Sequence, residues 1–290
     1  MNTYQKYILG ILAGVVCMSA VSCSDKADHD SIIDRGEISF SAQVGNTGTK
    51  MTDNSWEGGE VIGVKVAETE KTYIVDKEGA MTVSGSDPYE WNGVAFDAEA
   101  WYPYTDEQIV LADQTSEEKF YACDMLYSHT SVYSKEASFV FNHKMTRMWW
   151  QLQEVTGYDE EEEAAAKVTF YGYASMTYDN GSVTPAGNPD QEIRTWDRTE
   201  GGKRVGEAIM VPCEMWDKPL IKVEIGGDTY VFTPTKAADT EGRNTGVLKK
   251  NSLQQYWLSI SKEDFTVKMT SGPIGRWETS DMGAVHPEMQ

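Results

Sequence analysis

Four cysteines, four histidines and 46 carboxylates are the groups with chemistry to offer in this 290-residue chain. One cysteine stands apart by position. Cys23 follows the small-residue run Ala20-Val21-Ser22, which ends an apolar stretch over residues 7–20 containing Ile8, Leu9, Ile11, Leu12, Val15 and Val16. Lys6 supplies a positive charge ahead of it. The stretch is too short to span a bilayer comfortably and has the length of a signal-peptide core. A thiol at the cleavage point resembles a bacterial lipobox, whose cysteine is acylated (palmitate) and becomes the mature N-terminus. The third residue before it is Ala20, where Leu is more usual. The reading is a signal peptide over residues 1–22 and lipidation at Cys23.

The remaining reactive groups read as structural. Cys17 leaves with the signal. Cys123 and Cys213 could pair in an oxidising compartment, but two lone cysteines make no framework, and two separately buried thiols are expected. His143 has Asn142 and Lys144 beside it and no cysteine or second histidine nearby; His29, His129 and His286 are scattered. A hydrogen-bonded structural histidine is expected, with no metal site. Met145 and Met148 follow it at helical spacing and suggest one inward-packing turn. Glu57 and Glu60 are indistinguishable from surface charge. The acidic run at 159–163 lacks the alternating spacing and glycine of a calcium loop, so it reads as a solvated linker. No phosphate-binding glycine loop, zinc signature or nucleophile elbow is present, so neither enzyme nor cofactor is expected.

Charge narrows the partners. Against 46 acidic residues stand 25 basic ones, a net charge of −21. Such a chain repels phosphate backbones and anionic lipid, which excludes nucleic acid and leaves acyl chains as the membrane contact. Residues 24–30 are polar and rich in aspartate, with no apolar residue large enough to pack, and residues 23–35 read as an acidic tether. An acidic stretch after a lipidated cysteine also resembles the export signal of surface lipoproteins.

The elements that must hold these residues are almost all strands. Ile38, Phe40 and Ala42 alternate with polar residues. Val61, Ile62, Val64 and Val66, then Tyr73 to Val75, then Met81 and Val83 continue the pattern. Val168, Phe170 and Tyr171 mark another strand. Asp179-Asn180-Gly181 and Gly226-Gly227-Asp228 sit between strand pairs as tight hairpin turns. Residues 160–167 allow one or two helical turns. Many short strands with regular turns predict β-sandwiches.

Several spaced motifs together resemble one family. Thr49-Lys50-Met51-Thr52 precedes Trp56-Glu57-Gly58-Gly59-Glu60-Val61-Ile62-Gly63-Val64. Then come Phe96-Asp97-Ala98-Glu99-Ala100-Trp101-Tyr102-Pro103-Tyr104, Asp124-Met125-Leu126-Tyr127, and Phe139-Val140-Phe141-Asn142-His143-Lys144-Met145-Thr146-Arg147-Met148. Tyr256, Leu258, Ile260, Phe265, Val267, Ile274 and Trp277 close the series. Behind a lipobox, this order is similar to the fimbrillin-like lipoproteins of Bacteroidia, subunits of type V pili.

The resemblance implies an all-β chain of two tandem transthyretin-like sandwiches, over residues 36–156 and 157–290. It implies a non-enzymatic pilus subunit, tip or accessory protein at the outer membrane and cell surface, acting in adhesion. Its partners would be other fimbrial subunits, the membrane through lipid on Cys23, and a host or glycan ligand. Assembly would proceed by strand exchange, in which a protease removes the first strand, here residues 37–44 with Ile38, Phe40 and Ala42 on one face. The family's cleavage position falls on Lys50, where many members carry Arg; Arg35 is the alternative but leaves the strand in place. The other reading is a solitary surface lipoprotein gripping glycan or host protein through aromatics such as Trp91 or Trp196.

Overall fold

Period-two alternation turns most of this sequence into strands, and the strands sort into two packed halves around separate cores. The computed structural model describes residues 35–45, 56–239 and 244–273. Cys23 and Lys50 lie outside the described residues.

In the first half the chain runs β1 (Gly36–Glu37), β2 (Ser39–Val44), β3 (Glu60–Val66), β4 (Thr69–Val75), β5 (Ala80–Ser84), β6 (Glu90–Trp91) and β7 (Phe96–Tyr102). It continues through β8 (Ile109–Val110), α1 (Glu117–Tyr121), β9 (Leu126–Val132) and β10 (Glu136–His143). Seven of these close on themselves in the order β10-β2-β5-β4-β3-β7-β9. The closing ladder is short, Asn142 to Tyr127 and His143 to Leu126, so the two faces of the expected sandwich are continuous with each other. Alternate residues point inward, and Phe40, Ile62, Val64, Tyr73, Val75, Phe139 and Phe141 form its core. Pro103 follows the last residue of β7, where a missing amide hydrogen costs the ladder nothing.

The second half comprises β11 (Thr146–Thr156), α2 (Glu160–Ala165), β12 (Lys167–Gly172), β13 (Ser175–Asp179), β14 (Ser182–Ala186) and β15 (Gln191–Arg194). It ends with β16 (Trp196–Glu200), β17 (Lys203–Met210), β18 (Ile221–Ile225), β19 (Asp228–Phe232), β20 (Ser252–Ser261) and β21 (Phe265–Pro273). A five-stranded sheet, β16-β17-β11-β20-β21, and a four-stranded sheet, β15-β12-β18-β19, share one core. Phe170 meets Tyr256 at 6.1 Å and Tyr230 meets Phe265 at 5.7 Å between them. A third sheet joins β14, β13 and β8.

Two expectations need correction. A division at residue 157 leaves β11 with the first half, yet both its ladders are to β17 and β20. Its inward side chains Met148, Trp150 and Leu152 sit in the second core, which also takes Trp101, Leu111, Phe120 and Met125 from the preceding chain. The described residues accordingly form one compact unit. Met148 belongs to β11 and not to a helical turn; burial on the sheet face produces the same apolar pair without helical spacing. The acidic run takes up the helical turn expected over residues 160–167, and none of its residues is buried. It forms α2, closed by a capping box in which Asp159 and Glu162 serve each other's backbone.

Candidate functional site

The strand read as displaceable is built into the ring, not laid on it. β2 runs parallel to β10 over six residue pairs, from Ser39–Glu136 to Val44–Phe141. On its other side only Phe40–Met81 and Ser41–Ala80 pair with β5. β1 extends the segment through Gly36–Trp91 and Glu37–Glu90, and Ile38 donates its amide to the Tyr89 carbonyl at 2.8 Å.

Alternation decides which way the side chains face. Ile38, Phe40 and Ala42 are 4%, 3% and 2% exposed. The Phe40 ring meets Tyr73 at 5.5 Å, Tyr89 at 6.3 Å and Phe139 at 5.2 Å. Ile38 and Phe40 each contribute roughly 1.5–3 kcal/mol by leaving water. Burial first, then Tyr73 nearby, pushes the Tyr89 phenol up to about 12. Its hydroxyl stays a donor, bonded to the carbonyls of Val64 at 3.0 Å and Thr69 at 2.7 Å. The wall of the groove is thus aromatic and uncharged.

Two contacts fix the register. The Trp56 indole donates to the Ala42 carbonyl at 3.0 Å, the first described side chain after the segment that holds Lys50 reaching back onto β2. Gly79, at φ +87°, accepts the Ala42 amide at 2.7 Å, and a Cβ there would stand 2.3 Å from the Ala42 oxygen. Only glycine lets the two backbones approach so closely. Both residues escaped the sequence reading as site residues. Trp56 stood out only as the head of a motif, and the parallel partner β10 lies about a hundred residues downstream and leaves no local mark.

The other expected positions are placed as follows. Arg35 is exposed, immediately ahead of β1. Glu60 accepts the amides of Glu57 at 2.6 Å and Gly58 at 2.8 Å, so it closes the turn into β3. His143 is buried, with Nδ1 2.9 Å from Asp124 Oδ1. Cys123 and Cys213 are free thiols, the first buried and the second half-buried. Among the described residues no cluster of three His, Cys, Asp or Glu is placed to hold a metal, and no helix is long and apolar enough to cross a membrane. Trp91 packs against Phe96, and Trp196 packs against Phe120 with the Arg198 guanidinium 4.5 Å over it, so neither is a free platform.

Comparison with known proteins follows the geometry. A candidate cell adhesion protein from Bacteroides uniformis superposes with a TM-score of 0.62 at 18% identity, covering 82% of this chain and 98% of that one. Another from Bacteroides ovatus gives 0.61 at 16% identity, covering 85% and 99%. These likenesses establish the shared fold. No curated protein matches the sequence. A family model described as fimbrillin-like matches residues 49–277. That match spans well over half of the sequence, and the chain belongs to the fimbrillin-like family.

Proposed function

We propose that this protein is a non-enzymatic pilus subunit or accessory protein at the cell surface, held by lipid on Cys23 until a cut after Lys50 releases that anchor together with β2, and then assembled by exchange of β2. Family membership supports the pilus or adhesion role. The observation that carries the exchange reading is the environment of β2. One face of the strand is apolar and buried, and both of its neighbours pair through backbone. It also sits between exposed Arg35 and the stretch containing Lys50. A strand of another subunit meets the same requirements: main-chain bonds to β10 for affinity, and alternate apolar side chains for the pockets of Ile38 and Phe40. Cleavage after Lys50 opens that groove; cleavage after Arg35 leaves it filled.

Trypsin treatment of the purified chain tests this, with intact mass and hydrodynamic size read afterwards. The expected result is a cut after Lys50, loss of the β2 fragment, and capture of a synthetic peptide of residues 37–44 by the opened groove. A cut protein that neither binds the peptide nor enlarges with other subunits would sink strand exchange and favour a solitary surface lipoprotein.

A further inference from the structure

A second site lies away from β2, where the turn after β10 meets the turn before β20. The two turns are laced together by the Asn251 amide, which donates to the Met145 carbonyl at 2.9 Å, and by the Thr146 hydroxyl, which donates to the Lys249 carbonyl at 2.8 Å, while the Lys144 amide is held by the Met125 carbonyl at 2.7 Å. This brings Lys144 and Lys250 to one pocket of about 360 Å³. Ser182 lines it as well, and Val183, Pro185 and Val211 give it apolar walls. The β13–β14 hairpin supplies that side, held close because Gly181 rests on the Tyr127 ring, where a Cβ would approach to 2.0 Å. The Lys144 ammonium stands 4.8 Å over the same ring.

The charge arrangement is out of keeping with the rest of the molecule. The chain carries 46 acidic and 25 basic residues, yet no carboxylate lines this pocket. Among the described residues neither lysine has an ion-pair partner. Lys144 is partly buried, and the charge that acts on it is another cation. Burial first, then Lys250, pulls its ammonium below the ordinary lysine value. Two like charges held by their backbones beside an apolar wall are relieved by one anion with a short carbon stem. The volume suits a single carboxylate side chain.

We propose that this pocket receives the carboxylate of an aspartate or glutamate side chain presented by a partner protein, its methylenes lying against Val183 and Val211. The full chain, selectively labelled at lysine, is titrated with N-acetyl-glutamate amide and followed by NMR. Saturable shifts are expected at Lys144 and Lys250, at least tenfold weaker binding in Lys144→Gln and in Lys250→Gln, and unchanged binding in Lys77→Gln, on the β4–β5 turn. Circular dichroism of each variant separates lost binding from lost folding. N-acetyl-glutamine amide binding as well as the acid, or affinity surviving both lysine substitutions, would overturn the proposal. Glucuronate binding in place of the glutamate compound would equally overturn the protein-partner assignment.

Discussion

At Gly79 one hydrogen atom decides whether β2 and the β4–β5 turn can touch. Gly79→Ala adds a Cβ 2.3 Å from a carbonyl oxygen at a φ that L-residues avoid. A loss of roughly 1–3 kcal/mol is expected in urea unfolding, with faster proteolysis on the N-terminal side. Glu207 poses the opposite problem, a charge with too little water. It is 1% exposed and holds Arg147 Nε at 2.5 Å while Arg198 binds its other oxygen. Glu207→Gln removes the buried charge that Arg147 and Arg198 share, while Arg198 keeps Glu200, and a loss of roughly 1–3 kcal/mol is expected by the same assay. The thiols titrate late: burial raises Cys123 from 9.0 to about 12 and Cys213 to about 11. Folded thiols therefore keep protons that unfolded ones release. Their contribution to stability is complete below pH 9 and is lost as pH climbs toward 12. Iodoacetamide at pH 8 should leave Cys123 unmodified until denaturant is added; rapid labelling of the native protein would contradict its burial.

At the scale of elements, β2 is the strand whose removal the proposed assembly requires. Phe40→Ala empties a pocket between Tyr73, Tyr89 and Phe139, for an expected loss of about 3–5 kcal/mol and earlier release of the N-terminal segment under protease. Much of this was legible. Ile38, Phe40 and Ala42 declare a strand by alternation, and Gly226-Gly227 declares the β18–β19 hairpin, because both signals are local. The destination of a strand is not local. β11 looks like the end of the first half until its ladders to β17 and β20 are known, and its Met148 imitates helical spacing because burial alone sets it. The helix α1 was also missed; it is one short turn whose cap, Ser116, resembles any loop serine. The pocket at Lys144 and Lys250 was illegible for the same reason: it joins two turns that only the fold brings together.

Across the whole molecule the two cores are not independent. Trp101 leaves the ring to pack in the second core, made possible by Gly63, where a Cβ would stand 2.5 Å from the indole. Tyr178 of β13 donates to the Leu126 carbonyl of β9 at 2.6 Å, and Leu126 forms part of the ladder that closes the ring. Unfolding should therefore be a single transition, with tryptophan fluorescence and far-ultraviolet circular dichroism coincident in urea. Two separated transitions would show that the joint is too weak to couple the halves.

The unequal lengths of the ladders that hold the N-terminal segment have a mechanical consequence. Tension drawn on Arg35 meets β1 first, where two residue pairs hold it to β6 and give way in sequence. β2 then takes the pull along its own length, with six pairs to β10 lying across the direction of force. Bonds arranged so share a load, and none fails until most are strained. Stretched between residues 35 and 273, a single molecule should yield a small early step and then a larger one. The strand proposed to be freed by one cut is then the strand that resists being dragged out by shear while the chain is whole.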